Sequence, residues 1–194
     1  MRHSTLALAA VLSMPVGANG DISSDNFFLG CEGVEISGSG GNLSGDSLAL
    51  KREFPVLPSL AFGSEYSTAR FQGDADQQTA ILQGLLYIPD EKFTLVLGAG
   101  WLATRIDTDN LRADEDGPII SLQGRLRFSR VLGLLLGVDR IQLDSGAKTN
   151  VYRTNLLMSD GESPLDIVFS YEFGDTVGSQ DDVQTYGLGL RCTF

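Results

Sequence analysis

The sequence predicts an all-β protein whose strands close into an antiparallel up-and-down barrel. Apolar and polar residues alternate along many segments, and clusters of Gly, Asp, Asn, Ser and Pro separate those segments at short intervals. The 194 residues suit a single domain. With 23 glycines and 42% hydrophobic residues, the composition favours strands and turns over a disordered chain.

Residues 1–18 have the features of a secretory signal peptide. A short basic start, Arg2 and His3, precedes an apolar stretch that runs to about Val16 and ends in small residues. A membrane-spanning helix needs ~20 apolar residues, so this stretch is too short to be one. We therefore expect an exported chain whose structural domain covers residues 19–194.

Period-2 alternation defines ten predicted strands. In residues 165–173 every second residue is apolar, which places all of these side chains on one face of a strand but would scatter them around a helix. The predicted strands are Phe27–Ser37, Asp46–Phe54, Leu57–Phe71, Gln77–Ile88, Phe93–Asp107, Pro118–Phe128, Val131–Leu143, Thr149–Met158, Leu165–Phe173 and Asp182–Phe194. Eight strands are the alternative, if the hairpin of the first two does not form.

The predicted connections alternate between tight turns and longer segments rich in Gly and Asp. Residues 38–45, 107–117 and 174–181 are the longest of the second kind. In a membrane barrel the tight turns would face the periplasm and the longer loops would face outward. Both chain ends would then lie on the periplasmic side.

The closing segment, residues 185–194, alternates and ends on an aromatic residue. Together with the signal peptide and the period-2 strands, it resembles the small outer-membrane β-barrel proteins of Gram-negative bacteria, such as outer-membrane protein X and the membrane domain of outer-membrane protein A. The resemblance implies a transmembrane barrel that contacts outer-membrane lipids and lipopolysaccharide. It also implies an assembly signal that the barrel-assembly machinery reads. That signal would comprise Tyr186, Leu188, Leu190 and Phe194.

In such a barrel the apolar face meets lipid and the polar face lines the bore. The polar face carries charges of both signs, which could pair inside a narrow bore and block it. Single aromatic residues such as Tyr87 and Trp101 are expected to face lipid or the interface. The predicted bore network is Lys51, Glu53, Glu65, Arg125, Arg127, Asp139, Arg153, Asp166, Glu172 and Arg191.

The chemistry available to the predicted mature chain is narrow. The only histidine, His3, lies in the predicted signal peptide, so no imidazole base is available. Residues 107–117 begin like a calcium loop, but Leu111 and Arg112 occupy the next ligand and glycine positions. We expect no cofactor and no metal centre. The net charge of −11 argues against nucleic acid as a partner.

The two cysteines, Cys31 and Cys192, form a candidate disulfide across the seam between the first and last strands. The alternative is two free thiols, because the register of the seam decides whether they meet. Taken together, the sequence predicts a non-enzymatic outer-membrane scaffold with a mostly plugged bore. Two alternatives stay open: a narrow pore for small solutes, and a soluble periplasmic barrel that binds an apolar ligand.

Overall fold

The computed structural model describes residues 26–38, 41–72, 75–90, 93–108, 112–160, 162, 164–177 and 182–193. The predicted signal peptide, residues 1–18, and Phe194 lie outside the described residues. None of the described residues forms a helix long and apolar enough to cross a membrane. The strands are β1 Asn26–Gly38, β2 Gly41–Leu57, β3 Leu60–Phe71, β4 Ala75–Pro89, β5 Phe93–Asp107, β6 Arg112–Arg127, β7 Leu132–Gln142, β8 Lys148–Ser159, β9 Leu165–Thr176 and β10 Asp182–Thr193.

The ten strands form one closed antiparallel barrel, which confirms the predicted fold class. Each strand pairs with its neighbours in sequence, and β1 closes the ring by pairing with β10. The first hairpin, which the eight-strand alternative would leave out, is an integral part of this ring because β1 pairs along its length with both β2 and β10. Closure leaves no sheet edge unpaired.

The prediction of long loops at residues 38–45 and 107–117 is wrong. β2 begins at Gly41 and β6 begins at Arg112, so most of these residues extend the strands. Cross-strand pairing explains the extension of β6, because Arg105 on β5 faces Asp114 on β6, an opposite-charge pair that stabilises the ladder. Gly146, with φ of +88°, makes the left-handed turn between β7 and β8.

The barrel has two different ends. The terminal end holds Asn26 and Thr193, the first and last strand residues of β1 and β10. At the opposite end, which we call the collar end, the outward side chains are mostly charged or polar. The charged residues of this collar are Glu35, Asp46, Arg70, Asp76, Arg105, Asp107, Arg112, Asp114, Asp116, Arg140, Lys148, Asp175 and Asp182.

The outward face of the barrel wall is polar at the collar end and apolar nearer the terminal end. Below the collar the outward side chains are largely apolar, and many large ones are exposed, including Leu97, Ile120 and Phe169. On β5 this apolar band runs from Phe93 to Ala103, which spans about 20–25 Å at the usual rise and tilt of barrel strands. That height matches the lipid-facing band of an outer-membrane barrel.

At the collar end the apolar side chains lie inside instead. Two buried clusters fill the bore there, one containing Val34, Ala69 and Phe71 and the other containing Ile81, Leu102, Ile119 and Ile141. The collar end therefore carries charges outside and buried apolar clusters inside, beside inward polar side chains such as Thr79 and Thr104, whose hydroxyls lie 3.1 Å apart. The rest is built like a membrane barrel.

Candidate functional site: the filled bore

Strand alternation brings the charged residues of eight strands into one bore. Between the apolar clusters of the collar end and the terminal end lies a group that we call the mid-bore cluster. On β8, Arg153 is followed toward the collar by Val151 and toward the terminal end by Asn155 and Leu157, all on the inward face. The mid-bore cluster consists of Glu32, Lys51, Glu65, Asp139, Arg153 and Glu172.

Arg153 joins opposite sides of the barrel. Its Nη1 donates to Glu65 Oε2 at 2.9 Å, although β8 and β3 are five strands apart in either direction around the ring. Its Nε lies 2.7 Å from Asp139 Oδ2, and its Nη1 lies 3.7 Å from Glu172 Oε1. One guanidinium thus contacts three carboxylates and crosses the full width of the bore.

Lys51 adds a second cation to the same cluster. Its Nζ lies 3.3 Å from Glu65 Oε1 and 3.1 Å from Glu172 Oε1. The ammonium also stands 5.7 Å from the centre of the Phe28 ring. Lys51 therefore links β2, β3 and β9, and leaves little open section at this level.

A second group of charges lies nearer the terminal end. Arg125 Nη2 donates to Glu53 Oε1 at 2.6 Å. Glu53 Oε2 accepts hydrogen bonds from Asn26 Nδ2 at 2.9 Å and from Tyr87 OH at 2.8 Å. The guanidinium carbon of Arg125 lies 5.2 Å from the centre of the Tyr87 ring. This cluster connects β6 and β2, which are four strands apart.

The structure brings together nine of the ten residues predicted for the bore network. Asp166 accepts hydrogen bonds from Arg191 on the neighbouring strand, and the others form the two clusters just described. Arg127 is the exception: it is exposed at the end of β6 and takes part in none of these ion pairs. Its position is inward by alternation but beyond the filled section.

Sequence reasoning missed Glu32 and Tyr87. Glu32 is only 8% exposed and lies on the inward face of β1, in the same alternation as Phe28. The expectation that Tyr87 faces lipid is wrong, since its ring is buried inside at 3% exposure. Trp101 does face outward, below the collar, and its Nε1 donates to Asp116 Oδ2 at 2.8 Å.

A cavity of about 80 Å³ remains in the terminal half of the bore. It has room for a few water molecules and not for an organic solute of ordinary size. Its walls mix charge with apolar surface, since Lys51, Glu53 and Arg125 face Phe28 and Leu135. Side chains thus nearly fill the bore both at the mid-bore cluster and at the Glu53–Arg125 group nearer the terminal end.

The candidate disulfide between Cys31 and Cys192 is wrong, because both thiols are free. The seam register pairs Cys31 with Leu188 and Cys192 with Phe27. This offset of four residues separates the two cysteines by about 13 Å along the seam, whereas a disulfide needs Cα atoms within ~7 Å.

Opposite charges pair on the outside of the collar. Arg105 Nε donates to Asp114 Oδ1 at 2.5 Å, and this hydrogen bond raises the pKa of the guanidinium. Arg140 Nη1 donates to Asn150 Oδ1 at 2.5 Å.

Within the described part of the chain, no three Asp, Glu, His or Cys side chains come together as a metal site.

No model of a protein family and no curated protein sequence matches the chain. Solved structures do match its fold. The outer-membrane protease OmpT of Escherichia coli has a TM-score of 0.57 and 10% identity, over 95% of this chain and 100% of that one. An outer-membrane channel of Pseudomonas putida F1 has a TM-score of 0.55 and 10% identity, over 93% and 99%.

The translocator domain of the autotransporter NalP from Neisseria meningitidis gives a similar result. Its TM-score is 0.54 at 10% identity, with 100% of this chain and 94% of that chain covered. These three proteins carry different functions on one architecture, so the likeness extends to the fold alone. The chain has the fold of the outer-membrane β-barrels.

Proposed function

We propose that this chain is a non-enzymatic scaffold of the bacterial outer membrane, with a plugged bore and an acidic collar displayed at the cell surface. The observation that carries the proposal is the contact of Arg153 with Glu65 across the barrel. A bore crossed by a buried ion pair, with apolar clusters beyond it, leaves no continuous water path for solutes.

The band of exposed apolar side chains supports the membrane location. In a soluble barrel, Leu97, Ile120 and Phe169 would sit in water at 39%, 64% and 46% exposure. In lipid they are in their preferred solvent, and tyrosines and Trp101 lie toward the collar boundary, as expected of an interfacial belt. The closing strand directs Tyr186, Leu188 and Leu190 outward, where assembly factors could read them.

The collar supports a surface role. Its carboxylates outnumber its cations, so divalent ions could bridge it to the phosphate groups of lipopolysaccharide. The non-enzymatic part of the proposal rests on the sequence, in which the only histidine is His3.

Single-channel recording in planar bilayers tests the plug. We expect the folded wild-type barrel to show no steady conductance. The double variant Glu65→Gln/Arg153→Gln, which removes the cross-bore pair, should show frequent brief openings. Arg105→Gln, which alters an outward ion pair at the collar, is the matched control and should stay closed.

A steady ohmic conductance of the wild-type barrel would contradict the plug and favour the narrow pore. Cell fractionation tests the location separately. The chain should appear in detergent-extracted outer membrane, and its recovery in the osmotic-shock fluid would favour the soluble alternative.

A further inference from the structure

The mid-bore cluster carries more negative than positive charge. It contains four carboxylates, from Glu32, Glu65, Asp139 and Glu172, but only two cations, from Lys51 and Arg153. The contacts of the two cations are with Glu65, Asp139 and Glu172. Glu32 therefore brings a carboxylate that no ion pair of the cluster compensates.

The surroundings make this excess costly. On the collar side, Val34 follows Glu32 along β1 and Ile141 follows Asp139 along β7, both within the buried apolar clusters. On the terminal side, Phe28 and Val168 belong to another apolar cluster. A buried carboxylate without a compensating charge is strongly unfavourable, so Glu32 needs a positive partner, either a bound cation or a proton.

Unpartnered oxygens mark where that charge would bind. Glu32 Oε1, Ser170 Oγ and Asn155 Oδ1 are buried and have no hydrogen-bond partner among the described residues. Glu32 and Ser170 are each only 8% exposed. Buried polar groups are normally satisfied, and Ser170 and Asn155 also line the cavity of about 80 Å³ described above, which gives a small ligand room beside them.

The strand register places Glu32, Ser170 and Asn155 in one row that runs across four neighbouring strands. Glu32 on β1 pairs with Gly187 on β10, Gly187 pairs with Ser170 on β9, and Ser170 pairs with Asn155 on β8. At Gly187 the neighbouring side chains leave no room for a Cβ. A Cβ there would lie 2.6 Å from Glu32 Cγ and 2.8 Å from Ser170 Oγ. Glycine thus lets the Glu32 side chain lie over β10 and approach Ser170.

We propose that this row binds one small monovalent cation, of the size of sodium, between the Glu32 carboxylate, the Ser170 hydroxyl and the Asn155 amide oxygen. The donor set is all oxygen, which hard cations prefer. One carboxylate with two neutral oxygens matches a single positive charge, whereas Ca²⁺ is usually held by several carboxylates. The bound ion also reduces the charge excess of the mid-bore cluster.

Thermal unfolding of the detergent-folded barrel tests the site, with NaCl replaced by choline chloride at equal ionic strength. Choline is too large to be coordinated, so the wild-type barrel should unfold at a lower temperature in choline. At a sodium concentration ~100 times Kd the midpoint should be higher by about 5–10 °C.

Two variants locate the effect. Glu32→Gln removes the uncompensated charge, so the dependence on sodium should disappear, and the midpoint in choline should equal or exceed that of the wild type. Glu35→Gln makes the same change on the outward face of β1 and should keep the full dependence. If Glu32→Gln does not fold, Ser170→Ala removes one ligand and should weaken sodium binding about tenfold.

Three results would overturn the proposal. Equal wild-type midpoints in sodium and choline would mean that no monovalent ion is bound. An unaltered sodium dependence in Glu32→Gln or Ser170→Ala would place the site elsewhere. A protonated Glu32 carboxyl at neutral pH, seen by infrared spectroscopy, would mean that a proton supplies the charge instead. None of these results bears on whether the bore conducts.

Discussion

Among the described residues of the bore, Arg153 makes the most ion pairs. Its side chain is 11% exposed, and its guanidinium contacts three carboxylates from three strands. A buried ion pair is weak evidence for net stabilisation, since desolvation offsets attraction. Removing one partner is different, because the carboxylates left behind remain buried and unpaired.

We predict that Arg153→Met lowers the free energy of unfolding by about 3–5 kcal/mol. Arg127→Met is the matched control, because Arg127 is exposed at the end of β6 and outside the ion pairs of the bore. It should change stability by less than about 0.5 kcal/mol. Urea titration of both variants in lipid vesicles makes the comparison, and equal losses would show that the cluster does not hold the barrel together.

The inward position of Arg153 could be predicted from the sequence, but its partners could not. Alternation along β8 places it on the polar face, and the same rule applies to Glu65 on β3. Their contact depends on closure of ten strands, because it joins residues 88 positions apart on opposite walls. Sequence analysis missed Glu32 and Tyr87 for a related reason. Each has apolar neighbours on its own strand, and the side chains that it faces across the bore become apparent only in the closed barrel.

At the level of strands, the seam between β1 and β10 fixes the register of the closed ring. The ladder pairs Phe27 with Cys192 and Cys31 with Leu188. Sequence placed the two cysteines on the seam strands correctly, yet it could not give their register. That register depends on how all ten strands are staggered, which no single strand encodes.

We predict that Phe27→Cys, made together with Cys31→Ser, forms a disulfide with the native Cys192 under mild oxidation. Directly opposed residues of an antiparallel pair have Cα atoms about 4.5–5.5 Å apart, within the range that a disulfide allows. The wild-type pair and Cys31→Ser alone are the controls and should keep free thiols. Mass spectrometry after thiol labelling gives the answer, and a bond between Cys31 and Cys192 within one chain would disprove this register.

On the scale of the whole molecule, the wall reverses polarity where the collar begins. The sequence predicted the part with the apolar outer face well, because apolar side chains outside and polar ones inside give strict alternation. It failed at the collar end, where the outward side chains are charged and several of the inward ones are apolar. Asp and Gly there suggested loops, whereas opposite charges paired across strands, such as Arg105 with Asp114, extend the barrel instead.

The change of polarity along the outward face predicts the position of the bilayer boundary. Leu136 and Gln142 both point outward on β7, the first within the apolar band and the second beyond Arg140, at the collar. Leu136→Arg should cost about 2–4 kcal/mol of folding free energy in vesicles, because the guanidinium then lies near the bilayer centre. Gln142→Arg should cost no more than about 1 kcal/mol, since that position stands in the interface or in water. Equal costs at the two sites would mean that the bilayer covers the collar as well, and that the charged residues there are buried in lipid rather than displayed above it.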